Sequence, residues 1–290
     1  MKEAIRCLQA DMERLGYIAE PEIATAVYLA EELGKPLLIE GDAGVGKTEI
    51  AKLLAELRGA ELIRLQCYEG LDVNTALYEW NYQRQLLRLK IAQDNGRSAA
   101  EQEELIFSRD CLLERPLLRA ITRAGAPPVL LIDEIDRADD GFEAFLLEVL
   151  SDFQVTIPEL GTITATTRPI VVVTSNRTRE IGDALRRRCL YLFVAHPTLE
   201  KEIRIIRSRV PEVGERLSRE IAAFVQALRR RPLAKTPGAA ETIDWASALA
   251  RLDADHLDPE TVRLTLGCLI KDQRDAAELD EEAIVSLLAP

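Results

Sequence analysis

Short, wholly apolar runs alternate along this chain with longer stretches in which apolar residues recur every three or four positions. The runs Pro36-Leu37-Leu38-Ile39-Glu40, Leu62-Ile63-Arg64-Leu65, Val129-Leu130-Leu131-Ile132, Ile170-Val171-Val172-Val173 and Tyr191-Leu192-Phe193-Val194 are read as strands. Runs without a polar alternation mark strands covered on both faces. Helical periods lie between them. Ile5, Leu8, Met12 and Leu15 predict a first amphipathic helix, and residues 22–33 a second that stops at Gly34. Residues 49–57 follow the first strand as good helix formers and close at Gly59. Leu86, Leu87, Leu89 and Ile91 predict a helix broken by Asn95-Gly96, and Pro116 suits the first turn of one ending near Gly125. Phe142, Phe145, Leu146, Val149 and Leu150 make the buried stripe of another. Residues 154–157 and 162–164 flank Pro158-Glu159-Leu160-Gly161 as a β-hairpin, its tip a substrate-engaging element or a plain surface turn.

Strands alternating with helices predict an α/β fold, a parallel sheet with helices on both faces. After His196-Pro197 only helical periods remain, with breaks at Pro211, Pro232, Pro237 and Asp258-Pro259. The expected organisation is an α/β domain over 1–196 and a small all-helical domain over 197–290.

Composition removes several classes of function. The chain has 290 residues and a net charge of −12, which argues against non-specific nucleic-acid binding, since that needs Lys and Arg to neutralise phosphates. Two basic runs, Arg186-Arg187-Arg188 and Arg229-Arg230-Arg231, do not amount to a basic face. Five cysteines (Cys7, Cys67, Cys111, Cys189 and Cys268) are odd in number and lack Cys-x-x-Cys spacing, so neither a zinc site nor a disulfide framework is expected. They read as small buried residues in a reducing compartment. Neither His196 nor His256 lies beside a second histidine or a cysteine, so a His-based metal site is not expected. No apolar stretch reaches the length of a bilayer, and the N-terminus is amphipathic rather than signal-like. A cytoplasmic protein is expected.

The chemistry starts at Gly41-Asp42-Ala43-Gly44-Val45-Gly46-Lys47-Thr48, which spells GxxxxGK[ST] between a predicted strand and a predicted helix. In that context the loop amides converge at the positive end of a helix and cradle phosphate oxygens. Lys47 reaches the β- and γ-phosphates, and the Thr48 hydroxyl ligates Mg²⁺. The strand Val129–Ile132 then ends in Asp133-Glu134. Phosphoryl transfer is mostly positioning and charge stabilisation, so one acid can hold Mg²⁺ through water (Asp133) and the next can polarise the attacking water (Glu134). Asn176, at the tip of the strand that starts at Ile170, either orients that water or merely shapes a turn. Asp183-Ala184-Leu185-Arg186-Arg187-Arg188 puts three arginines at a helix end, where they either stabilise charge at a neighbour's nucleotide or cap the helix dipole.

The order GDAGVGKT, LLIDEID, TSN and RRRC, followed by a helical domain, resembles the AAA+ ATPases over roughly residues 20–250. Residues 151–157 resemble the pre-sensor hairpin segment of the MoxR branch. The segments Tyr78-Glu79-Trp80-Asn81-Tyr82 and Glu241-Thr242-Ile243-Asp244-Trp245 are similar to CoxD-like members, which are associated with maturation of molybdenum hydroxylases such as carbon monoxide dehydrogenase. The resemblance implies a P-loop NTPase sheet followed by a small all-α lid, ATP and Mg²⁺ as cofactors, and ATP hydrolysis. It also implies a homo-hexameric ring with the nucleotide between subunits, a von Willebrand factor A domain partner, and a metalloenzyme client that the ring remodels. Lys47 and Thr48 are cast as Walker A, Asp133 and Glu134 as Walker B, and Asn176 as sensor one. Arg188 is the first choice for the arginine finger and Arg187 the second. At the sensor-two position many members carry arginine where this chain has Glu241 or Thr242, leaving that role unassigned. The competing functions are a nucleotide-gated binding module and a nucleic-acid-linked AAA+ motor.

Overall fold

The computed structural model describes residues 2–288. The five apolar runs form one sheet of β1 (Leu37–Glu40), β2 (Leu62–Gln66), β3 (Val129–Asp133), β4 (Ile170–Ser175) and β5 (Leu190–Phe193). Their spatial order is β2-β3-β4-β1-β5. The β2–β3, β3–β4 and β4–β1 pairs are parallel, and Val172 stands opposite Leu131 on one side and Leu37 on the other. The same registers pair Gln66 with Asp133 and Glu40 with Ser175. The chemistry-bearing residues therefore collect at the carboxyl ends of the strands, where parallel α/β sheets bind ligands.

Packing divides the chain into two compact units, one of Thr25–Glu40 and Thr48–Leu192, the other of Met1–Ala24, Gly41–Lys47 and Phe193–Pro290. The core of the first joins Leu130, Ile132, Val171 and Val173 of the sheet to Leu117, Leu118 and Ile121 of the helix Pro116–Thr122. Phe142, Leu146 and Val149 of the helix Asp140–Asp152 complete it. That helix starts where the Asp139 carboxylate accepts the Phe142 amide at 2.8 Å. The expected hairpin pairs Gln154–Ile157 with Gly161–Thr164 and buries Val155, Ile157 and Ile163 in the same core.

Two features of this unit differ from the sequence reading. Tyr78–Trp80 pairs antiparallel with Leu112–Glu114, a ladder of three residues per strand that no periodicity announces. The helix Tyr82–Asp94 forms, but Leu86, Leu87 and Ile91 are 63%, 59% and 52% exposed while Gln85 and Ala92 are buried. Its polar side turns inward because Gln85 Nε2 donates to the Ile106 carbonyl at 2.8 Å and Arg88 pairs with Asp110 at 2.6 Å. The first of these bonds satisfies an amide that would otherwise be buried unpaired.

The second unit contains the helices Leu199–Arg209, Glu215–Arg229, Ala239–Arg251, Pro259–Thr265, Gln273–Ala277 and Glu281–Leu288. Its core centres on Trp245, whose ring lies 5.3 Å from Phe224 and whose Nε1 donates to Thr265 Oγ1 at 2.7 Å. A buried ion pair crosses it: both Arg229 terminal nitrogens meet the Glu202 carboxylate at 2.7 Å. The cysteines are less uniform than expected, since Cys67, Cys111 and Cys189 are buried but Cys7 is exposed and Cys268 half-buried. Among the described residues no helix is long and apolar enough to cross a membrane.

Candidate active site

β1 is buried along its whole length and ends at Glu40, so the chain must turn sharply at Gly41. A Cβ at Gly41 would stand 2.2 Å from the Val194 carbonyl oxygen, and Gly44 and Gly46 sit at φ 76° and 94°, a region that suits glycine. The helix Lys47–Arg58 begins immediately, as predicted. Lys47 is buried, and its Nζ donates to the carbonyls of Gly41 at 2.9 Å and Asp42 at 2.6 Å. The ammonium is thus held against the loop it belongs to, where anion oxygens would be bound.

The start of the helix Ala239–Arg251 is seated on this loop. The Ala239 amide donates to the Gly44 carbonyl at 2.9 Å, and the Glu241 carboxylate caps the helix by accepting the Gly238 amide at 2.9 Å. A Cβ on Gly238 would stand 2.6 Å from Gly44 Cα. Gly238→Ala is therefore expected to push the helix start off the loop, costing about 1–3 kcal/mol and weakening nucleotide affinity, as read by thermal unfolding with and without ATP. Thr242, one of the two residues that the resemblance aligns with sensor two, is buried and donates its hydroxyl to Glu202 at 2.9 Å. His196 Nε2 lies 3.3 Å from Asp42 Oδ2, but burial, and then the Arg229 charge, hold the imidazole below its usual pKa. At neutral pH the pair is not a salt bridge.

One peptide bond beyond Lys47, Thr48 Oγ1 lies 3.2 Å from Asp133 Oδ1. Asp133 is buried and also accepts the Thr174 hydroxyl. The same Thr174 oxygen accepts the Glu134 amide at 3.0 Å. Glu134 adopts left-handed backbone (φ 56°, ψ 50°), a conformation costly for a residue with a Cβ and concentrated at functional sites. Its carboxylate accepts Asn176 Nδ2 at 3.2 Å and Gln66 Nε2 at 3.1 Å, and pairs with Arg137 Nε at 3.2 Å. Asn176 thus lies on the second acid. Hard oxygen donors from Thr48 and Asp133 suit Mg²⁺, which takes few protein ligands and completes its shell with water and phosphate oxygens.

Of the three consecutive arginines, Arg186 pairs with Glu40 at 2.6 Å and so is committed within its own chain. Arg187 and Arg188 are exposed, and neither has an ion pair or side-chain hydrogen bond among the described residues.

Sequence reasoning missed five groups. Asp136 accepts the amides of Asn176 at 3.1 Å and Thr178 at 3.0 Å, and the Thr178 hydroxyl at 2.6 Å. Burial alone would raise its pKa, but these bonds bring it below the usual carboxylate range, so it stays ionised and pins the Asn176 turn. The third acid of Ile-Asp-Glu-Ile-Asp was a usable signal. Thr174, Gln66, Arg137 and Arg64 left none, being ordinary residues at strand ends or on exposed faces. Cys67, next to Gln66, is buried beside Asp133, Asp136 and Glu134; burial first, then those charges, push its thiol up to about 12.

A phosphate loop feeding a helix after β1, with an acid pair ending β3, one strand removed from β1 in a β2-β3-β4-β1-β5 sheet, defines a P-loop nucleoside triphosphatase. Residues 36–189 match the family model of the AAA domain (dynein-related subfamily), and the chain belongs to that family. It is an AAA+ ATPase. Two mutant forms of the Thermotoga maritima RuvB protein are similar at TM-score 0.50, with 17% and 18% identity. They cover 96% of this chain and 72% and 71% of theirs. The T. maritima structure described as the RuvB Holliday junction branch migration motor matches at TM-score 0.48 and 18% identity, covering 90% of this chain and 69% of its own. At these identities the likeness is one of fold.

Proposed function

We propose that the chain is a MoxR-type, CoxD-like AAA+ ATPase that forms a homo-oligomeric ring, a hexamer, and uses Mg²⁺-dependent ATP hydrolysis to remodel a protein client. In this reading Gly41, Asp42, Ala43, Gly44, Val45, Gly46, Lys47 and Thr48 hold the phosphates, and Thr48 and Asp133 hold Mg²⁺. When bound, the metal neutralises developing charge on the phosphate oxygens. Glu134 accepts a proton from the attacking water, and Asn176 aims its carboxylate. Residues 197–290 serve as the helical lid, and a cytoplasmic location fits this work.

The observation that carries the ring reading is the division of labour among the arginines. Arg186 is spent on Glu40, whereas Arg187 and Arg188 project from the same short helix as exposed guanidiniums. At the end of so short a helix two exposed cations add little stability beyond their interaction with its dipole, and they suit the charge that develops at a neighbour's γ-phosphate. Arg188 is the first choice for that finger and Arg187 the second. The client is a metalloenzyme precursor, in first place a molybdenum hydroxylase such as carbon monoxide dehydrogenase, with a von Willebrand factor A domain protein as partner. The segments Tyr78–Tyr82 and Glu241–Trp245 support that choice.

The test is affinity capture with the Glu134→Gln variant held in ATP, because a stalled ring keeps its client. Recovery of a molybdenum hydroxylase subunit or a von Willebrand-type protein is the expected result. Recovery of nucleic acid would overturn it in favour of a DNA- or RNA-linked motor. Client activation that persists in an Arg188→Ala ring without hydrolysis would make ATP a switch rather than a fuel.

A further inference from the structure

We propose that Arg64 is a built-in counter-cation for Asp133, one that a divalent metal must displace before the site can turn over. The inference rests on the assignment of Asp133 as a metal-holding residue. β2 is an edge strand that buries Ile63 and Leu65, so Arg64 and Gln66 share its opposite face. Arg64 reaches across to β3 and donates to Asp133 Oδ2 at 2.6 Å.

The two oxygens of Asp133 are not equivalent. Oδ1 accepts the hydroxyls of Thr174 and, at 3.2 Å, Thr48. Oδ2 has Thr48 only at 3.5 Å and is held mainly by the guanidinium. A buried carboxylate next to a second carboxylate in sequence needs a positive partner whenever no metal is present. Arg64 supplies it for Asp133, as Arg137 does for Glu134.

Exposure makes the arrangement reversible. The Asp133 side chain is 5% exposed and Arg64 is 52% exposed, so the acid is fixed while the guanidinium can leave for water. A half-exposed ion pair is a weak competitor. A divalent ion brought in with nucleotide phosphates repels the guanidinium and wins the carboxylate. The departure also reaches the second acid. The same Arg64 nitrogen donates to Gln66 Oε1 at 2.6 Å, and the Gln66 amide in turn donates to Glu134 Oε2 at 3.1 Å. Without Arg64 the amide of Gln66 loses the contact that orients it, and its hold on Glu134 loosens. Arg64 is therefore a positioning residue that orders events, with metal arrival ahead of the release of Glu134.

The experiment measures Mn²⁺ affinity, from the paramagnetic resonance signal of the free ion, in the presence of a non-hydrolysable ATP analogue. Arg64→Gln removes the charge, and Mn²⁺ binding is expected to tighten roughly three- to tenfold. Arg64→Lys keeps a cation in reach and is expected to stay near wild type. The half-saturating Mg²⁺ concentration for hydrolysis should fall in parallel for the glutamine variant only. Unchanged or weaker Mn²⁺ binding in Arg64→Gln overturns the proposal, and so does equal tightening in the lysine variant. Wild-type protein that binds the analogue but takes up no Mn²⁺, with Asp133→Asn indistinguishable from it, overturns the metal assignment itself instead.

Discussion

Glu134→Gln is expected to lower ATP hydrolysis by about a hundredfold or more while leaving nucleotide binding intact. The amide keeps the shape of the carboxylate and can still meet Asn176 Nδ2 through its carbonyl oxygen. It cannot take a proton from water. Thr48, Asp133 and the phosphate loop are untouched, so affinity for a fluorescent ATP analogue should hold while phosphate release collapses. Wild-type turnover in this variant would remove Glu134 from its role. The variant also probes the proposed ring. Mixed in equal amounts with Arg188→Ala, it should regain activity, because on the order of a quarter of randomly formed interfaces then pair an intact acid with an intact arginine. Two dead variants that stay dead when mixed would place Arg188 outside the neighbour's site.

Glu202→Gln is expected to destabilise the helical unit by about 3–5 kcal/mol, the cost of leaving one member of a buried pair uncompensated. The Arg229 and Glu202 side chains are 6% and 1% exposed, so solvent cannot make up the loss. Arg229 also donates to the Pro237 carbonyl at 2.8 Å, and Gln226 and Thr242 both donate to Glu202, at 2.8 and 2.9 Å. Two other helices are thereby tied to one carboxylate, and Arg229 extends the link to Pro237. The chain has two tryptophans, and Trp245 lies in this core. In a Trp80→Phe background, urea unfolding followed by Trp245 fluorescence reports on this unit. An apolar double replacement, Glu202→Leu with Arg229→Met, should recover much of the loss; a double as unstable as the single would show that the hydrogen bonds, not the charge, carry the effect.

The three inner strands were legible because they are continuous apolar runs, a pattern that packing on both faces demands; the edge strands β2 and β5 bury one face only and were legible from their apolar content. The phosphate loop and Asp133-Glu134 were legible because a turn that excludes Cβ atoms and an acid pair at a strand end leave few alternatives. What escaped was relational. Arg64 reads as an exposed strand residue until the register sets β2 beside β3 and the acid comes within its reach. The Tyr78–Trp80 ladder is too short for periodicity to accumulate, and it is fixed by aromatic contacts such as Trp80 with Phe107 at 5.4 Å. The helix Tyr82–Asp94 carries apolar residues nearly all round, so composition could not say which side faces in. Gln85 decided that by finding a carbonyl. At the sensor-two position the sequence offered Glu241 and Thr242 without a role. Both are engaged as caps and core partners of the helical unit.

Cys67 stands one residue beyond Gln66 and against three carboxylates, with its thiol pushed up to about 12. Oxidants and alkylating agents attack the thiolate, and at physiological pH this sulfur has almost none to offer. Burial first, and then the carboxylates around it, thus make this sulfur chemically silent. Oxidative stress that modifies the exposed Cys7 would leave the hydrolytic centre as it was.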